Sequence, residues 1–406
     1  MNFLLSIVIL FTFALFYISL QAFKKKKYSL FLFTIFTIFY VFIRQIMLLS
    51  GNYINYAILS HTVHDFSIDA IMVLDMYIFI SYIFFYFSYK YFYSKDIGRV
   101  YEYNKDRDYG KIVILAIGIF QILIFSSINL VYIMYLFIYN YYKNNRYKVF
   151  IFVSFFILIY FFTYTDDRRN WLFLVLSLMF MYFVKSKNQK IIKILIFGGG
   201  ALLIMSYIAI AFRTDGLFNY SAVESRIVNN SDALMGILEI ETDFPIVSDD
   251  LILLFDKIVI EDKIDYTYGK NFFKPLYAFI PREVWVDKPI TISRLFSKKF
   301  NKWFYDQGGS EPITIYGELF WNFGFLSFPF YIIIGLIATF FDKKLYNSLI
   351  MNNDSELSFY IAYISLGFVV LRGPLDNFWL MYFSVFILIQ LERVIPFFLR
   401  NINAKN

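Results

Sequence analysis

Residues Phe3 to Lys27 read FLLSIVILFTFALFYISLQAFKKKK. A bilayer core about 30 Å thick is crossed by about 20 mostly apolar helical residues, and this run has that length. No basic stretch precedes it and Lys24, Lys25, Lys26 and Lys27 close it, so it reads as a stop-transfer anchor, not a cleaved signal. Similar apolar runs recur along the chain. In lipid a backbone must satisfy its own hydrogen bonds, which a helix does. A membrane β-barrel needs alternating strands of about ten residues, and these runs are continuous and longer. The expected fold class is therefore an all-α polytopic integral membrane protein.

Composition agrees. Of 406 residues, 59% are hydrophobic and 17% charged, and mean hydropathy is +0.59. A soluble domain of this length carries less apolar residue and more charge. The net charge of +7 is what lysine- and arginine-rich cytoplasmic loops produce, so nucleic acid is not expected as a partner. With no cysteine, a disulfide, a thiolate metal site and a cysteine nucleophile are all excluded.

Charge sets the topology. With Lys24–Lys27 inside, a second helix from Ser29 to about Leu49 leaves the cell interior. A third returns through Ile71 and Tyr86 to Lys95, Arg99, Lys105, Arg107 and Lys111. The stretch 112–142 fits one tilted helix, which would put Lys143, Arg146 and Lys148 outside. A hairpin broken near Ser126, Ser127 and Asn129 keeps them inside, and charge parity selects it. Continuing this way gives about eleven transmembrane helices, bounded by about ten and twelve. Residues 1–212 hold about eight of them. Residues 213–314 form one large extracytoplasmic loop, and 315–406 hold about three more helices and a cytoplasmic tail.

Several arginines defy the positive-inside pattern. Arg168 and Arg169, Arg213 and Arg372 each fall at an outer helix end, and Arg44 lies toward the outer end of the second helix. Each alone is an ordinary interfacial anchor. Together they converge on one face, where guanidinium groups bind phosphate through paired, charge-assisted hydrogen bonds.

The loop is divided by charge. Asp215, Glu224, Asp232, Glu239, Glu241, Asp243, Asp249, Asp250 and Asp256 make its first part acidic. Lys270, Lys274, Arg282, Lys288, Arg294, Lys298, Lys299 and Lys302 make its second part basic, with Trp285 and Trp303 among them. The plain reading is a solvated acidic face and a headgroup-facing basic face; the functional one is a glycan-stacking surface. Glu239, Glu241 and Asp243 match no calcium-loop spacing. His61 and His64 have no evident third ligand, so no metal site is assigned. Gly198, Gly199 and Gly200 lack the following Lys-Ser/Thr of a phosphate loop and read as helix-packing residues.

The order of motifs resembles the Wzy-type O-antigen and capsule oligosaccharide repeat-unit polymerases of bacteria, best over the second half of the chain. Thr165-Asp166-Asp167-Arg168-Arg169-Asn170 resembles that family's turn with an arginine opening a helix, with two acidic residues in place of small ones. Phe212-Arg213 resembles the arginine that closes the helix before the large loop. Pro281-Arg282-Glu283-Val284-Trp285-Val286-Asp287-Lys288-Pro289 resembles the loop signature Pro-Arg-x-x-Trp-x-x-Lys-Pro. Gly317-Glu318-Leu319-Phe320-Trp321-Asn322-Phe323-Gly324 resembles the family's returning helix, and Leu371-Arg372-Gly373 its late outer turn.

The resemblance implies an architecture similar to the membrane-embedded GT-C glycosyltransferases. It implies glycosyl transfer at the outer face of the plasma membrane, between oligosaccharide units carried on undecaprenyl diphosphate. It also implies a chain-length-determining co-polymerase and a flippase as partners. The leaving group is already activated, so no cofactor is expected. Arg213, Arg282, Arg372 and one of Arg168 or Arg169, with Lys288, are candidates to stabilise charge developing on the diphosphate. Glu318 is the candidate base for the acceptor hydroxyl; its plain reading is a carboxylate at a helix N-terminus. Asn322, one helical turn on, and Trp285 are candidates to bind sugar, and Arg44 to bind diphosphate or glycan. Three alternatives stay open: an O-antigen ligase, whose loop histidine has no counterpart here, a lipid-linked oligosaccharide flippase, and a non-catalytic scaffold or lipid-binding partner.

Overall fold

The computed structural model describes residues 2–51, 67–94, 134–135, 138–139, 168–185, 243–277, 280–373 and 375. Every regular element among them is helical. Arg213, Glu239, Glu241, His61, His64, Gly198–Gly200 and nearly all of 112–142 lie outside the described residues.

Three helices open the chain: α1 (Asn2–Lys24), α2 (Tyr28–Ser50) and α3 (Ile68–Ser94). α4 (Arg168–Lys185) follows. Within the loop lie α5 (Asp243–Phe255), α6 (Ile292–Phe300) and α7 (Lys302–Asp306). α8 (Thr314–Phe323), α9 (Phe328–Ile350) and α10 (Asp354–Arg372) complete the described bundle. Five stretches among the described residues are long and apolar enough to cross a membrane: Phe3–Lys24, Tyr28–Ser50, Ile68–Ser94, Thr314–Ile350 and Asp354–Arg372. The protein is a multi-pass membrane protein of helices.

The central pair is α3 against α9, and α10 packs on α2, α4 and α9. Small residues let α3 and α9 meet. A Cβ on Gly335 would stand 2.6 Å from the Phe85 carbonyl oxygen, and the Ser88 hydroxyl donates to the Ile332 carbonyl at 2.7 Å. Lipid supplies no hydrophobic drive between helices, so such close packing and hydrogen bonding hold them together. The many aromatic rings fill this interior. Phe33 stacks on Phe85 at 3.8 Å between centroids. Three of the buried tyrosines pair their hydroxyls across helices: Tyr82 with Thr34 at 2.8 Å, Tyr316 with Thr37 at 2.7 Å, and Tyr77 with Ser327 at 2.7 Å.

Two breaks in regular helix and one departure from the expected burial shape the site. In α2 the turn Ile38–Phe42 widens to a π-helical turn, and the extra residue rotates the rest of the helix about its axis. Arg44 and Gln45 come to lie in the interior while Ile43 stays exposed. α2 then stops at Gly51, whose φ of +73° suits a left-handed cap. The sequence leads one to expect a single helix from Ile315 to Asp342. The backbone instead breaks at Gly324, whose φ of +57° and ψ of −139° belong to no helix. A short 3₁₀ turn, Gly324–Ser327, carries the chain into α9.

The departure from the expected burial is in the loop. Its acidic part does not stand in solvent over Asp243–Ile260. Val247 through Phe255 are buried without a gap, and α5 packs on α2, α3 and α8. The physical reason lies in its sequence, where Asp249 and Asp250 sit between Ile246-Val247 and Leu251–Phe255. The apolar residues on both sides favour burial, and Asp249 goes in with them because Arg44 of α2 pairs with it.

Candidate functional site

α8 is the hub. Thr314 to Asn322 are all buried. Gly317 permits this, because a Cβ there would stand 2.9 Å from the Leu251 side chain of α5. Thr314 takes a left-handed φ of +59°, a strained value for a β-branched residue. Its hydroxyl accepts from the Tyr316 N–H at 3.2 Å, which helps the first turn close.

Glu318 sits one turn into this helix and is 1% exposed. Its Oε2 accepts the backbone N–H of Leu375 at 2.8 Å. Gly373 lies directly alongside, since a Cβ there would come within 3.8 Å of the same oxygen. Arg372 ends α10 immediately before that glycine, half-buried. Two motifs far apart in the chain, the Gly-Glu-Leu helix and the Leu-Arg-Gly turn, are thus one structural unit.

Asn322 is fully buried. Its amide donates to the Glu318 carbonyl at 2.8 Å and its Oδ1 accepts from the Thr267 hydroxyl at 2.8 Å. The Thr267 N–H also donates to the Trp321 carbonyl at 2.9 Å. In this structure Asn322 works as the anchor of the basic part of the loop upon α8.

The Pro-Arg-x-x-Trp-x-x-Lys-Pro stretch is a self-closed turn. The Val284 and Trp285 N–H groups donate to the Pro281 carbonyl. Lys288 Nζ donates to the Ile280 carbonyl at 2.8 Å, and Arg282 Nη1 to the Lys288 carbonyl at 3.2 Å. The Trp285 ring rests 5.0 Å from that of Tyr277. Lys288 is therefore buried and occupied with the loop's own backbone, whereas Arg282, Trp285, Val284 and Val286 are exposed. Trp303 is exposed too, so two tryptophans stand on this surface among lysines 270, 298, 299 and 302.

Arg44 has a definite partner. Its Nε and Nη2 donate to the two carboxylate oxygens of Asp249 at 3.0 and 2.9 Å, and the guanidinium is 1% exposed. The fork that the sequence reading offers to a substrate phosphate is turned here on a carboxylate of α5. Arg168 and Arg169 open α4; their side chains lie outside the described residues.

Sequence reasoning gave no role to the carboxyl groups next to this pair. Asp250 and Glu311 are 2% and 4% exposed. Burial, then the neighbouring Glu311 and Asp249, push the Asp250 carboxyl well above its usual range. Burial also raises Glu311, although Asn301 donates to its Oε1 at 2.7 Å. Acidic residues within the apolar run of α5 were the available signal for Asp250. Among the described residues no group of three or more histidine, cysteine or acidic side chains is placed to hold a metal ion.

Comparison with known proteins gives a partial likeness. The chain is 34% identical over 95 residues to the O-antigen polymerase of Salmonella typhimurium, covering 21% of this chain and 23% of that protein. The same figures hold for the O-antigen polymerase of Salmonella typhi. The match therefore spans about a quarter of the length of these relatives. No family model matches the chain, and no solved structure matches it significantly.

Proposed function

We propose that this protein joins oligosaccharide repeat units carried on undecaprenyl diphosphate, at the extracytoplasmic face of the bacterial plasma membrane. The observation that carries the reading is the joining of Glu318 to the Arg372-Gly373 turn. It lies on a helix that also anchors the Arg282 loop. The partial likeness to O-antigen polymerases supports the same reading.

In the proposed step, the acceptor sugar's hydroxyl oxygen attacks the donor's anomeric carbon. The bond from that carbon to the diphosphate oxygen breaks, and undecaprenyl diphosphate leaves. Glu318 takes the hydroxyl proton. Arg282, Arg372, Arg213 and one of Arg168 or Arg169 meet the charge on the departing diphosphate. Trp285 and Trp303 offer ring faces to the glycan. Asn322 and Lys288 position these groups by holding the loop in place, and Arg44 does so through its ion pair with α5. The step requires neither metal nor nucleotide. A flippase that delivers the lipid-linked units and a co-polymerase that sets chain length are the proposed partners. The product is O-antigen, capsule or exopolysaccharide.

The test is glycan length on gels from a deletion strain complemented at matched expression. Wild type should restore a ladder. Glu318→Gln keeps an acceptor for the Leu375 N–H but loses the base, and should lower polymerisation about 100-fold or more. A full ladder from Glu318→Gln would remove Glu318 from the chemistry. No difference between the deletion strain and wild type would reject the polymerase.

A further inference from the structure

A groove runs along the bundle between α2, α9 and α10, with about 870 Å³ of empty space, its open side included. Leu32 and Phe33 of α2, Ile334 and Ala338 of α9, and Gly367 and Leu371 of α10 line it. Its lining positions on α9 extend from Phe330 to Phe341, about 16 Å at 1.5 Å per residue. That is about half the thickness of a bilayer's hydrocarbon core.

Three observations say what it fits. The first is continuity. Leu319 and Leu375 line one end; Leu319 follows Glu318, and Leu375 donates its N–H to the Glu318 carboxylate. The groove thus ends beside the candidate chemistry, with Glu318 itself behind the lining. The second is polarity. Every lining residue except Ser29 and Tyr363 is wholly apolar, and Ser29 marks the far end. A ligand lying in it is apolar along its length, and any polar group it carries lies beyond the lining. The third is the small residue that opens the space. A Cβ on Gly367 would meet only Leu32 Cδ1, at 3.9 Å, so its missing side chain leaves room instead of allowing helix contact. Gly335, tight against Phe85, is the opposite case.

We infer that this groove holds the first isoprene units of a polyprenyl diphosphate, with the diphosphate at the Glu318–Arg372 end and the remaining tail in the bilayer. The inference rests on the proposed function and adds to it the place and direction of the lipid. A bilayer acyl chain is as apolar as the tail, so burial alone does not favour the substrate. Selectivity comes from packing in the groove and from the polar group at its end.

The test uses full-length protein in lipid nanodiscs and a polyprenyl diphosphate bearing a diazirine on its first isoprene unit. Light should place the label on peptides of α9 and α10 that line the groove. Excess unlabelled polyprenyl diphosphate should remove it, and excess phosphatidylglycerol should not. Gly367→Phe, which fills the groove, should lower labelling at least tenfold. Gly367→Ala, whose methyl fits, should keep it within about twofold, and Met76→Phe, on an exposed face of α3, should leave it unchanged. Labelling elsewhere, or undiminished labelling in Gly367→Phe, overturns the inference. So does removal of the label by phosphatidylglycerol, which would make the groove a bulk-lipid site. The same preparations are given a lipid-linked repeat unit. Wild type that extends it while the label lies elsewhere sinks the groove alone. Wild type that fails to extend it sinks the polymerase reading, whatever the label does.

Discussion

Two parts of one loop meet opposite fates. Residues 243–260 carry Asp249, Asp250 and Asp256, and all three are buried. Residues 280–290 carry Arg282 on an exposed turn that is tied to itself. The carboxylates are inside because each has a reason to be tolerated there. Asp249 is paired with Arg44, Asp256 accepts from Ser67 at 2.9 Å, and Asp250 holds its proton more tightly. Outside, Arg282 donates to the turn's own backbone, and Arg294 and Lys299 lie over the rings of Tyr305 and Trp321. The acidic part is buried scaffold and the basic turn is exposed surface, and both are held to α8.

The sharpest way to break this division is Arg44→Ala. It leaves Asp249 buried without its cation, which should cost about 3–5 kcal/mol. A fall in thermal midpoint and in folded yield in detergent would show it. An unchanged midpoint would mean that α5 does not depend on the pair. Asn322→Ala attacks the joint itself, removing its hydrogen bonds to the Thr267 hydroxyl and the Glu318 carbonyl, for about 1–3 kcal/mol. Limited proteolysis should then cut faster between 267 and 290 while the bundle persists.

Acidity separates the two parts further. The Asp250 proton is lost near pH 4 in an unfolded chain but at higher pH when folded. The stability this group contributes is complete below the unfolded value and falls as pH rises through the folded one. Asp250→Asn should flatten that decline and be more stable than wild type at pH 8, in melting curves taken from pH 5 to 8. The smallest stability effect belongs to the exposed turn. Arg282→Ala should shift stability by no more than about 0.5 kcal/mol and yet abolish the polymer ladder. A large loss of stability would make Arg282 scaffold as well.

Much of the bundle could be read from the chain. The expected helix from Ser29 to Leu49 is Tyr28–Ser50, and the one through Ile71 and Tyr86 is Ile68–Ser94. Span length is a local property, so hydropathy reports it. What escaped was non-local or too short. α5 has 13 residues, below the length of a span, and its place inside depends on a partner 205 residues away. The break at Gly324 lies within a 37-residue stretch apolar on both sides, where hydropathy sees one run. Of the candidate site, Glu318 and Arg372 were legible as motifs, but the meeting of Glu318 with the turn after Arg372 was not, because nothing in either motif names the other. Arg44 was legible as an oddity; only the fold shows Asp249 in its fork.

One small contact bears on how the chain is made. The first turn of α2 lacks a cap from its own segment. Asp342 of α9 supplies it, accepting from the Ser29 N–H at 2.8 Å and the Leu30 N–H at 3.3 Å. These partners lie more than 300 residues apart. During synthesis, α2 enters the bilayer with those donors open, and they stay open until the ribosome has made α9. The second helix is thus made long before it is finished. A nascent chain halted before Asp342 would hold its opening helices in the membrane without the latch that fixes their register.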